Sequence, residues 1–361
     1  MSSNSRLLLA CLVLFATAIF AAPFPNSQRA PLQLGKINSA SIVKLDSCPL
    51  GYYPGMTCFK GRVEACPNAA DLGFTYGYEN RGLEPAGTIV FFEGVGGTDP
   101  YSDPAYAESY LQAGFKVVYM AWDTDWEFTG NNTGMSIKEA ACRPATFLQY
   151  ASQNLYTKGG MCAQGASAGA GAVGYSLAWY GAAGFLDNVE LLSGPVFSNI
   201  EEGCIVPRAS SINVCAAHQY GCDGNSWPDG PTYVDTDQEL VGSWSGQPSC
   251  NDGQKTSAEA NSAWKNMSIV DGTDNPSFNY PQTSMAGWLC SNLNSVQNNS
   301  AAQGNYFYQQ FTHNGQTAGF SVTRINYCDG VEGVTQGTTP QGESGLAAIS
   351  SDMVSSCVNR H

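Results

Sequence analysis

The sequence predicts an α/β fold, a mostly parallel central sheet flanked by helices, and three observations carry that prediction. Gly87-Thr88-Ile89-Val90-Phe91-Phe92-Glu93 is a continuous β-branched and aromatic run, suited to a strand buried on both faces of a parallel sheet. It leads directly into the glycine-rich Gly94-Val95-Gly96-Gly97-Thr98. Farther on, Gly165-Ala166-Ser167-Ala168-Gly169 forms a G-x-S-x-G where a short apolar run gives way to a helical one. Between them, strand-like and helix-like periods alternate, as parallel strands joined by crossover helices require.

Taken in order, the chain begins with Arg6, the apolar run 7–20 and the small residues Ala21 and Ala22, which is the pattern of a secretory signal peptide over 1–22. Cleavage is expected between Ala18 and Ala22. The remainder, 23–361, reads as a single domain, because no Pro/Ser-rich linker or repeat divides it. Of 13 cysteines, Cys11 falls in the leader, and the even number left suits disulfides and an extracellular location. Their pairing cannot be deduced from spacing. The formal charge is −14, with 16 Lys+Arg against 30 Asp+Glu. So acidic a chain is not expected to bind nucleic acid or an anionic membrane, both of which need basic surface. A monomer acting on an extracellular substrate is the expectation.

Pro23 to Asp46 shows no clear pattern. Thr57 to Ala65 and Leu72 to Tyr78 read as strands, followed by 87–93. Asp103-Pro104 is an N-cap and first-turn proline opening a helix that Gly114 ends. Phe115 to Trp122 is a further buried strand. Ser136-Ile137-Lys138-Glu139 is a capping box for a helix to about Tyr156, interrupted or restarted at Pro144. Met161 to Ala163 is a short strand before the serine. The helix after it is expected to end at Gly184, and Val189 to Leu192 is the next strand. From 193 to about 265 the pattern is loop-like, with Cys204, Cys215, Cys222 and Cys250 among aromatics. It is expected to be a disulfide-stapled insertion, at about 197–265, whose aromatics form its own small core or stack on a substrate ring.

In a G-x-S-x-G the serine stands on a sharp strand-to-helix turn, its Oγ clear of the backbone and the following N–H aimed where an oxyanion forms. With the glycine loop one strand earlier, the chain resembles the α/β-hydrolase family over about 57–192. Within it, the likeness leans toward secreted, disulfide-bonded esterases: feruloyl esterases, acetylxylan esterases and polyhydroxybutyrate depolymerases. The resemblance implies hydrolysis of carboxylic esters of plant-polymer, phenolic or polyester type, with no cofactor and no metal. It implies Ser167 as nucleophile, and an oxyanion hole made by Ala168 N–H with an N–H of Val95 or Gly96. The loop lacks the histidine of the lipase HGGG type.

The family order, serine then carboxylate then histidine, sends the search downstream. Met267-Ser268-Ile269-Val270 reads as a strand leading to a turn in which Asp274 is the expected acid, with Asp271, Glu201 and Glu202 as alternatives. Histidines number three: His218, His313 and His361. His313 follows Tyr306 to Thr312, read as a last strand, and is the expected base. Phe320 to Tyr327 is a competing last strand. In that case the place where related esterases carry histidine holds Glu332, and the triad is irregular, draws on His218, or is absent. A serine peptidase of the same fold and a non-catalytic secreted binding protein are the alternatives. Leu346, Ile349 and Met353 give a final helix, which Cys357 can tie down. The acidic runs 123–127 and 235–237 lack the glycine and distal glutamate of a calcium loop, and solvated turns are expected.

Overall fold

The computed structural model describes residues 30–101, 103–127, 136–200, 265–270, 277–291, 297–313, 315–328 and 333–361. Among them, nine strands form one sheet in the order β1-β2-β3-β5-β4-β6-β7-β8-β9. They are β1 (Val43–Lys44), β2 (Thr57–Val63), β3 (Leu72–Glu79), β4 (Gly87–Phe92), β5 (Lys116–Trp122), β6 (Gly160–Ala166), β7 (Asn188–Leu192), β8 (Asn279–Cys290) and β9 (Gln316–Ile325). The first three pair antiparallel, and β3 joins β5 antiparallel. From β5 across to β9 every pairing is parallel. The central strands are buried at every position of β4, β5 and β7, which is why they read as unbroken apolar runs.

The helices are α1 (Pro104–Gln112), α2 (Ile137–Ala140), α3 (Cys142–Asn154), α4 (Ala168–Tyr180), α5 (Gln297–His313), α6 (Gly333–Gln336) and α7 (Gly345–Ser356). Two apolar clusters cover the two faces of the sheet. One is built on α3 and α4, the other on α1 and α7. The expected caps are present: Asp103 accepts from Ala105 N–H with Pro104 in the first turn. The Ser136–Glu139 box is closed in both directions. The helix it opens breaks at Ala141 and restarts, so Pro144 sits in the first turn of α3, where its missing N–H leaves no helical bond unmade. Disulfides join Cys48 to Cys58, Cys66 to Cys142, Cys162 to Cys357 and Cys290 to Cys328. No helix among the described residues is long and apolar enough to cross a membrane.

Four expectations need correction. The helix after Ser167 ends at Gly181, which takes the left-handed conformation (φ 73°), and not at Gly184. Residues 265–270 are a helical turn and a bend, not a strand. Their backbone bonds go to Phe197 and Ser198, and they pack on α4 through Tyr175 and Trp179. Tyr306 to Thr312 belongs to helix α5, not to a strand. The last strand is β9, and it is preceded by β8, a strand that the sequence does not announce. The expected signal peptide and most of the expected insertion, 201–264, lie outside the described residues.

Candidate active site at the Ser167 turn

Ser167 stands between the last residue of β6 and the first of α4, at φ 50° and ψ −116°. An L-residue is strained there by about 1–3 kcal/mol, and such strain persists only where the surroundings over-determine it. They do so here by close approach. A side chain on Gly165 would begin 2.4 Å from Gly169 O, and one on Gly169 would begin 2.2 Å from Phe92 O. Strand β6, the start of α4 and the end of β4 are thus pressed backbone to backbone, which only glycine permits. Ser167 N–H donates to Leu192 O on β7, and Ser167 O accepts from Gly171 N–H in α4. The serine is 6% exposed.

The glycine loop after β4 lies against it. A Cβ at Gly94 would stand 3.2 Å from Ser167 Cβ and 3.8 Å from Oγ. The loop closes as a single 3₁₀ turn, Val95–Gly97, with Gly97 N–H donating to Gly94 O at 3.0 Å. Gly94 N–H is taken by Glu93 Oε1 at 2.8 Å. Gly96 has φ 70°, and a side chain on it would collide with Asp125 at 2.5 Å. Its carbonyl accepts from Trp126 N–H at 2.9 Å. Arg143, buried in α3, braces the segment after β5 by donating to Trp126 O at 2.7 Å and to Ala70 O through Nε and Nη2. Burial lowers its guanidinium to about 10, still charged at neutral pH.

The other site residues read from the sequence are not gathered here. In the parallel register Ala166 stands opposite Leu192, Leu192 opposite Trp288, and Trp288 opposite Thr323. Thr323 therefore marks the level of the serine on β9. His313 ends α5 and precedes Gln316, the first residue of β9, seven residues before that level. At about 3.3 Å per residue this is about 20 Å away, at the opposite edge of the sheet. Helix α5 is the crossover from the end of β8 back to the start of β9, so its last residue, His313, the expected base, returns to the edge where β9 begins. His361 is also at that edge, with Nε2 3.2 Å from Leu186 O just before β7. Asp274, Asp271, Glu201, Glu202, His218 and Glu332 lie outside the described residues.

The described residues that follow β8 and β9, on the serine's edge, are neutral, and Arg324 near the end of β9 donates to Cys290 O at 3.4 Å. Ser291 Oγ donates within 2.8 Å of both Ile325 O and Asn326 Oδ1, and the Cys290–Cys328 disulfide closes the two strand ends together. Ser291 and Asn326 escape notice in the sequence, because β8 is hard to recognise and neither residue type signals chemistry. Among the described residues no group of three or more His, Cys, Asp or Glu could hold a metal ion. Asp123, in the first acidic run, pairs with Lys60 at 3.3 Å on the surface.

Strand order, the Ser167 turn and the glycine loop beside it make this an α/β-hydrolase fold. No protein-family model matches the chain, and no curated protein does. Solved structures do resemble it. A fungal esterase from Rhizomucor miehei is 13% identical with a TM-score of 0.46, covering 84% of this chain and 83% of its own. An acetyl xylan esterase from Paenibacillus sp. R4 is 9% identical at 0.46, covering 82% and 84%. A bacterial heroin esterase is 11% identical at 0.43, covering 85% and 84%.

Proposed function

We propose that the chain is a secreted carboxylic ester hydrolase that works through an acyl-Ser167 intermediate. The observation that carries this reading is the retained strain of Ser167 with a glycine loop packed against its side chain, since a packed helix end has no use for either. In the proposed reaction Ser167 Oγ attacks the ester carbonyl. Ala168 N–H, the first amide of α4, and Gly96 N–H receive the oxyanion, with Val95 N–H the neighbouring alternative. The alcohol leaves, and water then hydrolyses the acyl-serine. Serine needs a base for both steps, and imidazole serves near neutral pH. With His313 and His361 at the far edge, His218 is the histidine that remains for that role. The substrate is proposed to be an ester of a plant polymer, a phenolic acid or a polyester, bound outside the cell by a monomer.

A second reading has its own observation: the described residues after β8 and β9 are Ser291, Asn326, Tyr327 and Cys328, none of them an acid or a base. A chain with the turn and no base would bind an ester without turning it over. Hydrolysis of a short-chain nitrophenyl ester separates the two. The ester-hydrolase reading expects turnover by the wild type, its loss in Ser167→Ala and His218→Ala, and its survival in His313→Ala. Wild-type protein that binds the ester and releases no nitrophenol would move the assignment to the binding reading.

A further inference from the structure

Glu190 lies in the middle of β7 with no solvent exposure, and neither oxygen of its carboxyl makes a hydrogen bond. Among the described residues no countercharge acts on it. Beside it, β6 supplies Gln164 and β8 supplies Ala286, with Trp288 on the same face two residues on. Helix α7 covers that face, where Asn188 Nδ2 lies 3.4 Å from Met353 Sδ. The titratable groups that face Glu190 are Asp352 from α7 and Tyr106 and Tyr110 from α1, and none is a cation. Trp288 Nε1 and Ser350 Oγ are likewise buried without a partner. An ionised carboxylate there would lose its water, gain no opposite charge and stand near a second carboxylate. Under those conditions a carboxyl keeps its proton.

We infer that Glu190 keeps its proton inside the sheet beneath helix α7, an acid-dependent fastening of that helix, and of the Cys162–Cys357 tie at its end, to the sheet. Burial first, and then Asp352, hold the Glu190 proton well above the ordinary glutamate range. Asp352 is itself raised by burial, with Glu190 opposing that rise.

These shifts fix the direction of the pH dependence. The unfolded chain releases the Glu190 proton near the ordinary value of 4.5, and the folded chain holds it to higher pH. Above that value the unfolded state binds fewer protons, so the contribution to stability is full below it and is lost as pH rises toward the folded value.

The test is thermal unfolding of the full chain and of Glu190→Gln from pH 4.5 to 8.5, with infrared spectra of both. A glutamine cannot ionise, so the variant should gain on the wild type by about 5 °C in Tm between pH 5 and pH 7. The wild type should also show, at pH 7, the carbonyl band of a protonated carboxylic acid that Glu190→Gln lacks. Parallel Tm curves for the two proteins would overturn the inference. So would a wild-type spectrum without the acid band at pH 7, a result that stands even if the variant does not fold.

Discussion

Replacing Gly169 by alanine separates a strained catalytic turn from an ordinary glycine-rich helix end. The new Cβ would begin 2.2 Å from Phe92 O, 2.6 Å from Phe92 C and 2.7 Å from Glu93 O. All three are backbone atoms, so no side chain can swing aside. Ordinary contact begins near 3.4 Å, and α4 and β4 must part by about 1 Å. Overpacking of this kind destabilises by about 3 kcal/mol. The same displacement moves Ala168 N–H away from the Gly94–Gly97 loop, and a misplacement of about 1 Å slows a reaction by about 100-fold. Gly184→Ala is the control: nothing lies within 4 Å of its new Cβ, and its stability should stay within about 0.5 kcal/mol of the wild type. Urea unfolding and the rate of labelling by a fluorophosphonate measure the two effects. If Gly169→Ala unfolds with the control and labels at the wild-type rate, the close approach of β4 and α4 does not shape this turn.

Other substitutions test other parts of the site and its support. Ser167→Gly removes the strain at φ 50°, and after the entropy glycine loses on folding should raise stability by about 1 kcal/mol while abolishing labelling; calorimetry reads the gain. Arg143→Lys keeps the charge but cannot fill the fork to Ala70 O and Trp126 O, and should lose about 3 kcal/mol in denaturant titration. Cys162→Ser with Cys357→Ser opens a tie across a sequence separation of 195 and should lose about 5 kcal/mol by the same titration, with the other disulfides intact by mass spectrometry.

The elements that are legible in the sequence are those whose local chemistry and burial agree. Strand β4 is buried at all six positions and reads as a strand; the Ser136–Glu139 box and the Asp103-Pro104 start name their helices. The Ser167 turn is legible through its two glycines, whose reason is the backbone contact between β6, α4 and β4. The second half of the sheet is not. Strand β8 carries Pro281, Gln282 and Thr283 near its start, which mask the apolar run 285–290. Helix α5 reads as a strand because Tyr306, Phe307, Tyr308 and Phe311 are strand-favouring types. Its burial falls at Gln303, Gly304, Phe307, Tyr308 and Phe311, a helical spacing that the same residues already display. That single misreading carries His313 to the wrong edge of the sheet. Glu190 is silent too, because one carboxyl inside an apolar strand reveals its burial only once β6, β8 and α7 are in place.

Active-site titration with a fluorophosphonate, followed by peptide mass spectrometry, tests most directly whether Ser167 is the nucleophile. The expected result is one label per chain on the peptide holding Ser167, no label in Ser167→Ala, and an undiminished rate in His313→Ala. A wild-type chain that takes no label, or a Ser167→Ala chain that labels as the wild type does, would contradict it.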